Sequence, residues 1–290
     1  MNRKVVVITR SFQIGTGGRG RKFDAKVFAC KVAIPIIKLL RFEEIVEKII
    51  VVTNGESGNR LAENMEDGRT PTITALEETF PREISSGKIH GHICRNWGPN
   101  SGSAIALNEG AEIARQSNVE WIMNWSPEID MDGYLMSQAL NFAERRELLV
   151  VGFARERWWE KPQWNVVQNT AAMWQLSLLG EIGGFAPECN GAGEIITLSE
   201  FGEVPIAGME DFHAMLRAMK ARKNIRWGMV GRENPLRWDT SFPSGSERER
   251  LHLIKVARQY AVMKIWTAQI FPELSFESMM GRLFSFYHLD

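Results

Sequence analysis

Short, strongly apolar runs alternate with longer helical patterns over the first half of this chain. The runs lie at 5–9, 49–53, 120–124 and 148–153, and the first two consist largely of β-branched residues. Runs of this length without polar alternation are typical of strands that are buried on both faces of a parallel sheet. The alternation of strand and helix therefore predicts an α/β fold, with a mostly parallel central sheet flanked by helices.

The helical patterns lie at 24–47, 101–117, 133–145, 209–221 and 247–269. Pro35 is expected to interrupt the first of them, because proline has no amide hydrogen and its ring clashes with the preceding turn. Residues 59–90 are polar and irregular, with a weak helical pattern near 74–79 and a strand at 88–94. The last helix is amphipathic, and it predicts a C-terminal helical extension, residues 246–290, packed on a domain of residues 1–245.

The charge balance excludes two classes of protein. The chain has 35 Lys and Arg residues and 35 Asp and Glu residues, so its formal net charge is zero. Proteins that bind nucleic acid through phosphate attraction have a basic excess, so no nucleic-acid partner is expected. The 44% hydrophobic content without a charge excess also excludes intrinsic disorder.

Cysteine usage and hydropathy bear on the compartment. Cys30, Cys94 and Cys189 are far apart and odd in number, which indicates a reducing compartment rather than a disulfide framework. The apolar run near the N-terminus stops at Arg10 with no cleavage site after it. No stretch approaches the roughly 18 uncharged apolar residues of a spanning helix. We therefore expect a cytoplasmic protein without a transmembrane segment.

Polar groups follow each apolar run. Thr9 and Arg10 follow the first, Thr53, Asn54 and Glu56 the second, and 125–128 the third. In an open α/β sheet, ligands bind at the carboxyl ends of the strands. Hydroxyl, carboxylate and cationic groups together would suit a nucleotide with a divalent metal.

Five motifs occur in an order that resembles a known family. They are IIVVTNGES (49–57), RNWGPNSGSAIALNEGAEIA (95–114), WIMNWSPEIDMDGYL (121–135), EIGGF (181–185) and GMEDFHAMLRAM (208–219). Together they resemble the GT-A glycosyltransferases, especially the large family 2 group, over about residues 4–230. The resemblance implies a GT-A fold with a nucleotide-binding half at about 1–132 and an acceptor half at about 133–245.

The resemblance also implies an activity. A sugar would pass from a nucleotide-diphosphate donor to an acceptor hydroxyl of a carbohydrate or small molecule, with inversion at the anomeric carbon. Asp211 would be the base, beside Glu210, and the helix dipole would stabilise its charge. A plain acidic pair at a helix N-terminus is the alternative interpretation of these two residues. A Mn²⁺ or Mg²⁺ ion would neutralise the diphosphate, with Glu128 and Asp239 as ligands, because hard cations prefer oxygen.

The remaining site residues are carried over motif by motif. The nucleotide-binding set is Thr9, Arg10, Thr53, Asn54, Glu56, Gly98, Ser103 and Asn108. The acceptor-binding set is Trp158, Trp159, Gly183, Gly184 and Arg217. The metal motif departs from the family, since Ser126 replaces its first Asp and Glu128 its second. Asp130 and Asp132 form a literal Asp-x-Asp, but they come late, and Asp132 is expected to cap the next helix.

Two other functions stay open. Residues 16–22 (TGGRGRK) could cradle a phosphate through backbone amides, which would suit a sugar-phosphate nucleotidyltransferase. The altered metal motif would also suit a GT-A protein that has lost catalysis and serves as a binding subunit. The C-terminal helix could mediate dimerisation, and thus a homo-oligomer, or docking on a membrane surface.

Ten Trp against three Tyr is an unusual ratio. Trp121, Trp174 and Trp266 lie among apolar neighbours and are predicted to be core. Six others fall in predicted loops near the cleft, where they could stack on a sugar or simply pack; they are Trp97, Trp125, Trp158, Trp159, Trp164 and Trp238. Trp227 has no assignment.

Overall fold

The structure is a computed structural model of the 290-residue chain. It describes residues 4–11, 25–54, 70–95, 97, 103–126, 129–130, 133–146, 148–154, 167–169, 171–187, 194–222, 225–231, 235–236, 244–285 and 287–289. All structural statements below concern these residues.

A mixed sheet of eight strands forms the centre of the protein, and β7 and β8 form a separate hairpin. The strands are β1 (Val5–Ser11), β2 (Val46–Asn54), β3 (Ile89–Cys94), β4 (Trp121–Trp125), β5 (Val150–Phe153), β6 (Ala171–Gln175), β7 (Ile195–Leu198), β8 (Gly202–Pro205), β9 (Trp227–Val230) and β10 (Tyr287–Leu289). The order in the large sheet is β10-β9-β5-β6-β4-β1-β2-β3. Its pairings are parallel except those of β6 with β4 and β5. The predicted α/β fold with a mostly parallel sheet is confirmed.

Helices cover both faces of this sheet. They are α1 (Ala25–Phe28), α2 (Ile34–Leu40), α3 (Pro71–Thr79), α4 (Pro81–Ser85), α5 (Ala104–Arg115), α6 (Gly133–Arg146), α7 (Leu176–Glu181), α8 (Glu210–Ala221), α9 (Glu247–Ile270) and α10 (Phe276–Ser285). A π-helical turn, Ala29–Ala33, joins α1 to α2. Pro35 lies in the first turn of α2, directly after this wider turn. The local change of helix type at the proline follows from the missing hydrogen bond and the ring clash.

Alternate residues of the central strands point to opposite faces of the sheet, and each face packs in its own apolar layer. Val6 and Ile8 of β1 join one layer with α5 and α8, while Val5 and Val7 join the other with α2 and α6. All four side chains are fully buried. Burial on both faces explains why β1 appears in the sequence as a continuous apolar run.

The C-terminal helices belong to the first of these layers. Val262, Met263 and Trp266 of α9 are buried there, together with Met279 and Leu283 of α10. After α10, the chain returns to the sheet as β10, which pairs in parallel with β9. Of the helices described, none is both long and apolar enough to cross a bilayer.

The described Trp residues are all buried. Trp121, Trp174 and Trp266 lie in the core as predicted, and Trp227 is a fully buried residue of β9. Trp97 and Trp125 are also buried, and the indole of Trp125 donates to the carbonyl of Ile129 at 3.1 Å. Both side chains therefore pack inside the protein. Trp158, Trp159, Trp164 and Trp238 lie outside the described residues.

Candidate active site

The carboxyl ends of β1, β2 and β4 lie side by side. Thr9 of β1 is in register with Val51 of β2 and Trp125 of β4. Arg10 is the last residue but one of β1, so its side chain enters the site from the centre of the sheet. The parallel pairing therefore brings together polar groups that are more than 40 residues apart in sequence.

An unusual turn delivers Glu210 and Asp211 to the same edge. Gly208 has φ +85°, and Met209 has φ 59° and ψ 29°, so two left-handed residues immediately precede α8. Met209 is the one non-glycine residue with positive φ among those described, and its side chain is buried. Such strain persists where the surrounding structure fixes it, often near functional groups. Here it places two acidic residues in the first turn of α8.

Asp211 is buried and bound by backbone amides. The amide of Asn169 donates to Oδ2 at 2.7 Å, and the amide of Phe212 donates to Oδ1 at 2.8 Å. Burial, aided by the neighbouring Glu210 charge, raises the pKa of Asp211 to about 7. The two amide hydrogen bonds and Arg10 act in the opposite direction. A carboxyl that titrates near neutrality is matched to proton transfer.

Glu210 is held by a hydroxyl and a cation. Ser103, at the start of α5, donates its hydroxyl to Oε1, and Arg10 Nη1 lies 3.7 Å from the same oxygen. Arg10 also reaches the carbonyl of Asn169 at 3.4 Å. Burial lowers the pKa of Arg10, whereas Glu210 and Asp211 raise it. The guanidinium thus offsets part of the charge of a buried carboxylate pair.

Two asparagines support this pair, and neither was predicted. The side-chain oxygen of Asn169 accepts from Asn124 Nδ2 at 2.9 Å and from Trp174 Nε1 at 2.8 Å. This fixes the 167–169 segment, whose amide binds Asp211. A polar residue near the end of the apolar run WIMNW was the available signal for Asn124. Asn169 lies in a segment without apolar periodicity, so no sequence signal pointed to it.

Several buried polar atoms at this edge have no hydrogen-bond partner among the described residues. They are Thr9 Oγ1, Thr53 Oγ1, Asn124 Oδ1 and Asn169 Nδ2. Buried polar groups are normally satisfied, so these atoms mark the place where a polar ligand would be held most readily. Asn54 is likewise buried at the end of β2.

Four predicted ligand-binding residues form a clamp around one turn. Asn108 of α5 donates to the carbonyl of Phe185 at 2.7 Å and accepts from its amide at 2.8 Å. Arg217 of α8 donates to carbonyls of the same turn, those of Ile182 and Gly184. Gly183 and Gly184 both have positive φ. These contacts join α5, α7 and α8 behind the carboxylate pair.

The described residues do not by themselves suit a metal ion. They contain no group of three or more His, Cys, Asp or Glu residues arranged to hold one. The oxygens of Glu210 and Asp211 accept hydrogen bonds and face a guanidinium. Asp130 is exposed and pairs with Lys38 at 2.6 Å. The predicted residues Glu56, Gly98, Glu128 and Asp239 lie outside the described part of the chain, as do Trp158 and Trp159.

Comparisons with known proteins identify the fold. No family model and no curated protein matches the sequence. Among solved structures, residues 1–349 of S. aureus TarS match with a TM-score of 0.53 at 10% identity, over 97% of this chain and 69% of that chain. This chain has a GT-A-like α/β fold.

Related TarS structures extend this comparison. The complex with UDP-GlcNAc matches with a TM-score of 0.51 at 11% identity, over 98% of this chain and 71% of that chain. The complex with UDP gives 0.52 at 12% identity, over 98% and 70%. The match covers 42% of a longer TarS chain. At 10–12% identity, these matches show the fold alone.

Proposed function

We propose that this protein is a glycosyltransferase that moves a sugar from a UDP-sugar donor to an acceptor hydroxyl. One observation carries the proposal: Asp211, a buried carboxyl with a pKa of about 7, lies at the carboxyl edge of a GT-A sheet. The UDP-GlcNAc and UDP complexes of TarS support uridine nucleotides as the first donors to test.

Asp211 acts as the general base of an inverting displacement. The acceptor oxygen forms a bond to the anomeric carbon while the bond from that carbon to the diphosphate oxygen breaks. The electron pair of the broken bond leaves on UDP, and the acceptor proton passes to Asp211. Each carboxylate oxygen has two lone-pair sites, so the amides of Asn169 and Phe212 leave one on each oxygen for the proton.

The neighbours of Asp211 set its orientation and proton affinity. The two amides fix the carboxyl plane, so that the base need not reorient during the reaction. Glu210 favours the protonated form of Asp211, and Arg10 favours the ionised form. Ser103 and Arg10 in turn hold Glu210, which makes Glu210 and Arg10 positioning residues in this mechanism.

In this proposal, Glu128 and Asp239 are the residues that would bind a divalent metal ion. When bound, such an ion would neutralise charge on the leaving diphosphate. The described carboxylates are engaged by hydrogen bonds and by Arg10, so no step of the mechanism above uses the metal. Addition of Mn²⁺ or of a chelator therefore forms a separate arm of the test.

A panel of nucleotide sugars tests the proposal. Purified protein is incubated with UDP-GlcNAc, UDP-glucose, UDP-galactose and GDP-mannose, with Mn²⁺ or with chelator, and released nucleoside diphosphate is measured with and without carbohydrate acceptors. We expect release of UDP from at least one UDP-sugar. No turnover and no binding with any donor would contradict the proposal. Donor binding without turnover would instead indicate the non-catalytic binding subunit, and pyrophosphate release from UTP plus sugar phosphate a nucleotidyltransferase.

A further inference from the structure

Helix α9 runs beside α8 in the same direction and extends past its beginning. Two contacts follow the same order along both helices, His213 with Trp266 and Lys220 with Ile270. Arg258 lies about two helical turns before Trp266 and feels the charge of Glu210, which lies before His213. The roughly 11 residues from Glu247 to Arg258 correspond to about 16 Å of helix. This first part of α9 therefore projects beyond the first turn of α8, on the side of the sheet where the strands end.

Arg258 lies on α9 within electrostatic reach of Glu210. Burial lowers the pKa of Arg258, while the carboxylate of Glu210 raises it. The Nε atom of Arg258 is buried and has no hydrogen-bond partner among the described residues. Glu210 Oε1 already accepts from Ser103 and faces Arg10. Arg258 thus brings a partly buried cation with an unused donor close to the site.

We propose that Arg258 donates to a phosphoryl oxygen of the donor's diphosphate, so that α9 completes the nucleotide-sugar site. This inference rests on the proposed function, since it assigns a residue to the leaving group of that reaction. A guanidinium suits the role because its planar fork of donors matches phosphate geometry.

The chemistry of Arg258 favours the leaving group over the acceptor. The acceptor is a neutral hydroxyl, whereas the departing diphosphate carries negative charge that needs a cation. A buried guanidinium nitrogen with an unused hydrogen is therefore matched to a phosphoryl oxygen.

Calorimetric titration with UDP and with uridine tests this assignment. The variants are Arg258→Gln, Arg258→Lys and the control Arg250→Gln, because Arg250 lies on the same helix but is exposed and paired with Glu247. Loss of one charge-assisted hydrogen bond should weaken UDP binding by about 10- to 100-fold in Arg258→Gln. Uridine binding should stay at the wild-type level, Arg258→Lys should be intermediate, and Arg250→Gln should match wild type with both probes.

Each outcome separates this inference from the proposed function. If wild type binds UDP and Arg258→Gln binds it equally well, the assignment of Arg258 is wrong and the glycosyltransferase proposal stands. Equal loss of UDP and uridine binding would also overturn it, because that pattern indicates general distortion. If wild type binds no UDP, the UDP-sugar proposal fails first. Urea unfolding of each variant checks that it is folded. If Arg258→Gln does not fold, the UDP affinity of Arg258→Lys supplies the test.

Discussion

Asp211 holds its proton more tightly than an exposed aspartate does, and the causes are separable. Desolvation and the Glu210 charge raise its pKa, and two amides and Arg10 lower it. The raised pKa means that the folded protein keeps this proton up to about pH 7. The base form, and with it the activity, should therefore appear as the pH rises through neutrality.

The pH profile of kcat/KM tests this balance. We expect an acid limb with an apparent pKa near 7 in the wild type. Arg10→Met removes a cation that favours ionised Asp211, so its acid limb should move to higher pH. Arg222→Met is the matched control, since Arg222 is an exposed cation paired with Glu181. An unchanged limb in Arg10→Met would show that Arg10 does not act on the titrating group.

The ion pair of Arg10 with Glu210 makes a second prediction, about stability. Arg10→Met alone leaves two neighbouring buried carboxyls without this cation, and such a loss costs about 3–5 kcal/mol of unfolding free energy. Glu210→Gln in the same chain should recover a large part of it. Urea unfolding of the two single variants and the double variant gives the coupling free energy. Additive effects would contradict the observed contact.

The sequence predicted the carboxylate pair of Glu210 and Asp211, but it did not predict the residues that position this pair. Glu210 and Asp211 are part of a short recognisable motif, so their position at the start of a helix could be predicted. Asn169 was not, because its role depends on a contact with Asp211, 42 residues later, and on Trp174 and Asn124. Long-range contacts of single polar residues leave no periodic signal in one sequence.

The turn after α7 combines a left-handed backbone with a close steric contact. A Cβ on Gly184 would lie 2.6 Å from Asn108 Oδ1, and its φ is +73°. Gly202 has nearly the same φ, +74°, but nothing lies within 4 Å of the Cβ position. A residue with a Cβ would therefore meet the same backbone strain at both positions, but a steric clash only at Gly184.

Alanine at each glycine separates these effects. Gly202→Ala should cost about 1 kcal/mol of unfolding free energy, the penalty of a left-handed conformation for a residue with Cβ. Gly184→Ala should cost at least about 1 kcal/mol more, because it also breaks the Asn108 clamp. Denaturant unfolding measures both. Equal losses would show that the clamp contributes nothing to stability.

The strong periodic elements were predicted, and the exceptions have physical reasons. β1, β2, α5, α8 and α9 lie within a few residues of their predicted ranges. The predicted helix 24–47 instead ends at Leu40, and β2 begins at Val46. Phe42 and Ile45 lie between them and pack on the core. Because these apolar residues of the turn have helical spacing, the pattern wrongly predicted a longer helix. β6 was missed because AAMWQ has no β-branched residue.

The C-terminal helices are part of the core of the protein. α9 and α10 bury apolar side chains in the layer that also holds α5 and α8. The amphipathic pattern of residues 247–269 predicted an extension packed on the domain, but it could not show how much of the layer the extension supplies.

Removal of residues 246–290 tests this dependence. The shortened chain would expose the apolar face of α8 and lose the Trp266 contact with His213. We expect it to lose cooperative unfolding or to aggregate, because large apolar patches are not stable in water. A soluble fragment with a sharp denaturant transition would show instead that residues 1–245 form an independent domain.

The most direct test of the central claim compares wild type with Asp211→Asn in donor turnover and donor binding. With the donor selected by the panel, UDP release is measured at saturation and Kd is measured by calorimetry. The mechanism predicts a loss of about 10²- to 10⁴-fold in turnover with nearly unchanged Kd, since the base acts on the acceptor and not on the donor. An Asp211→Asn variant that transfers sugar at the wild-type rate would contradict it.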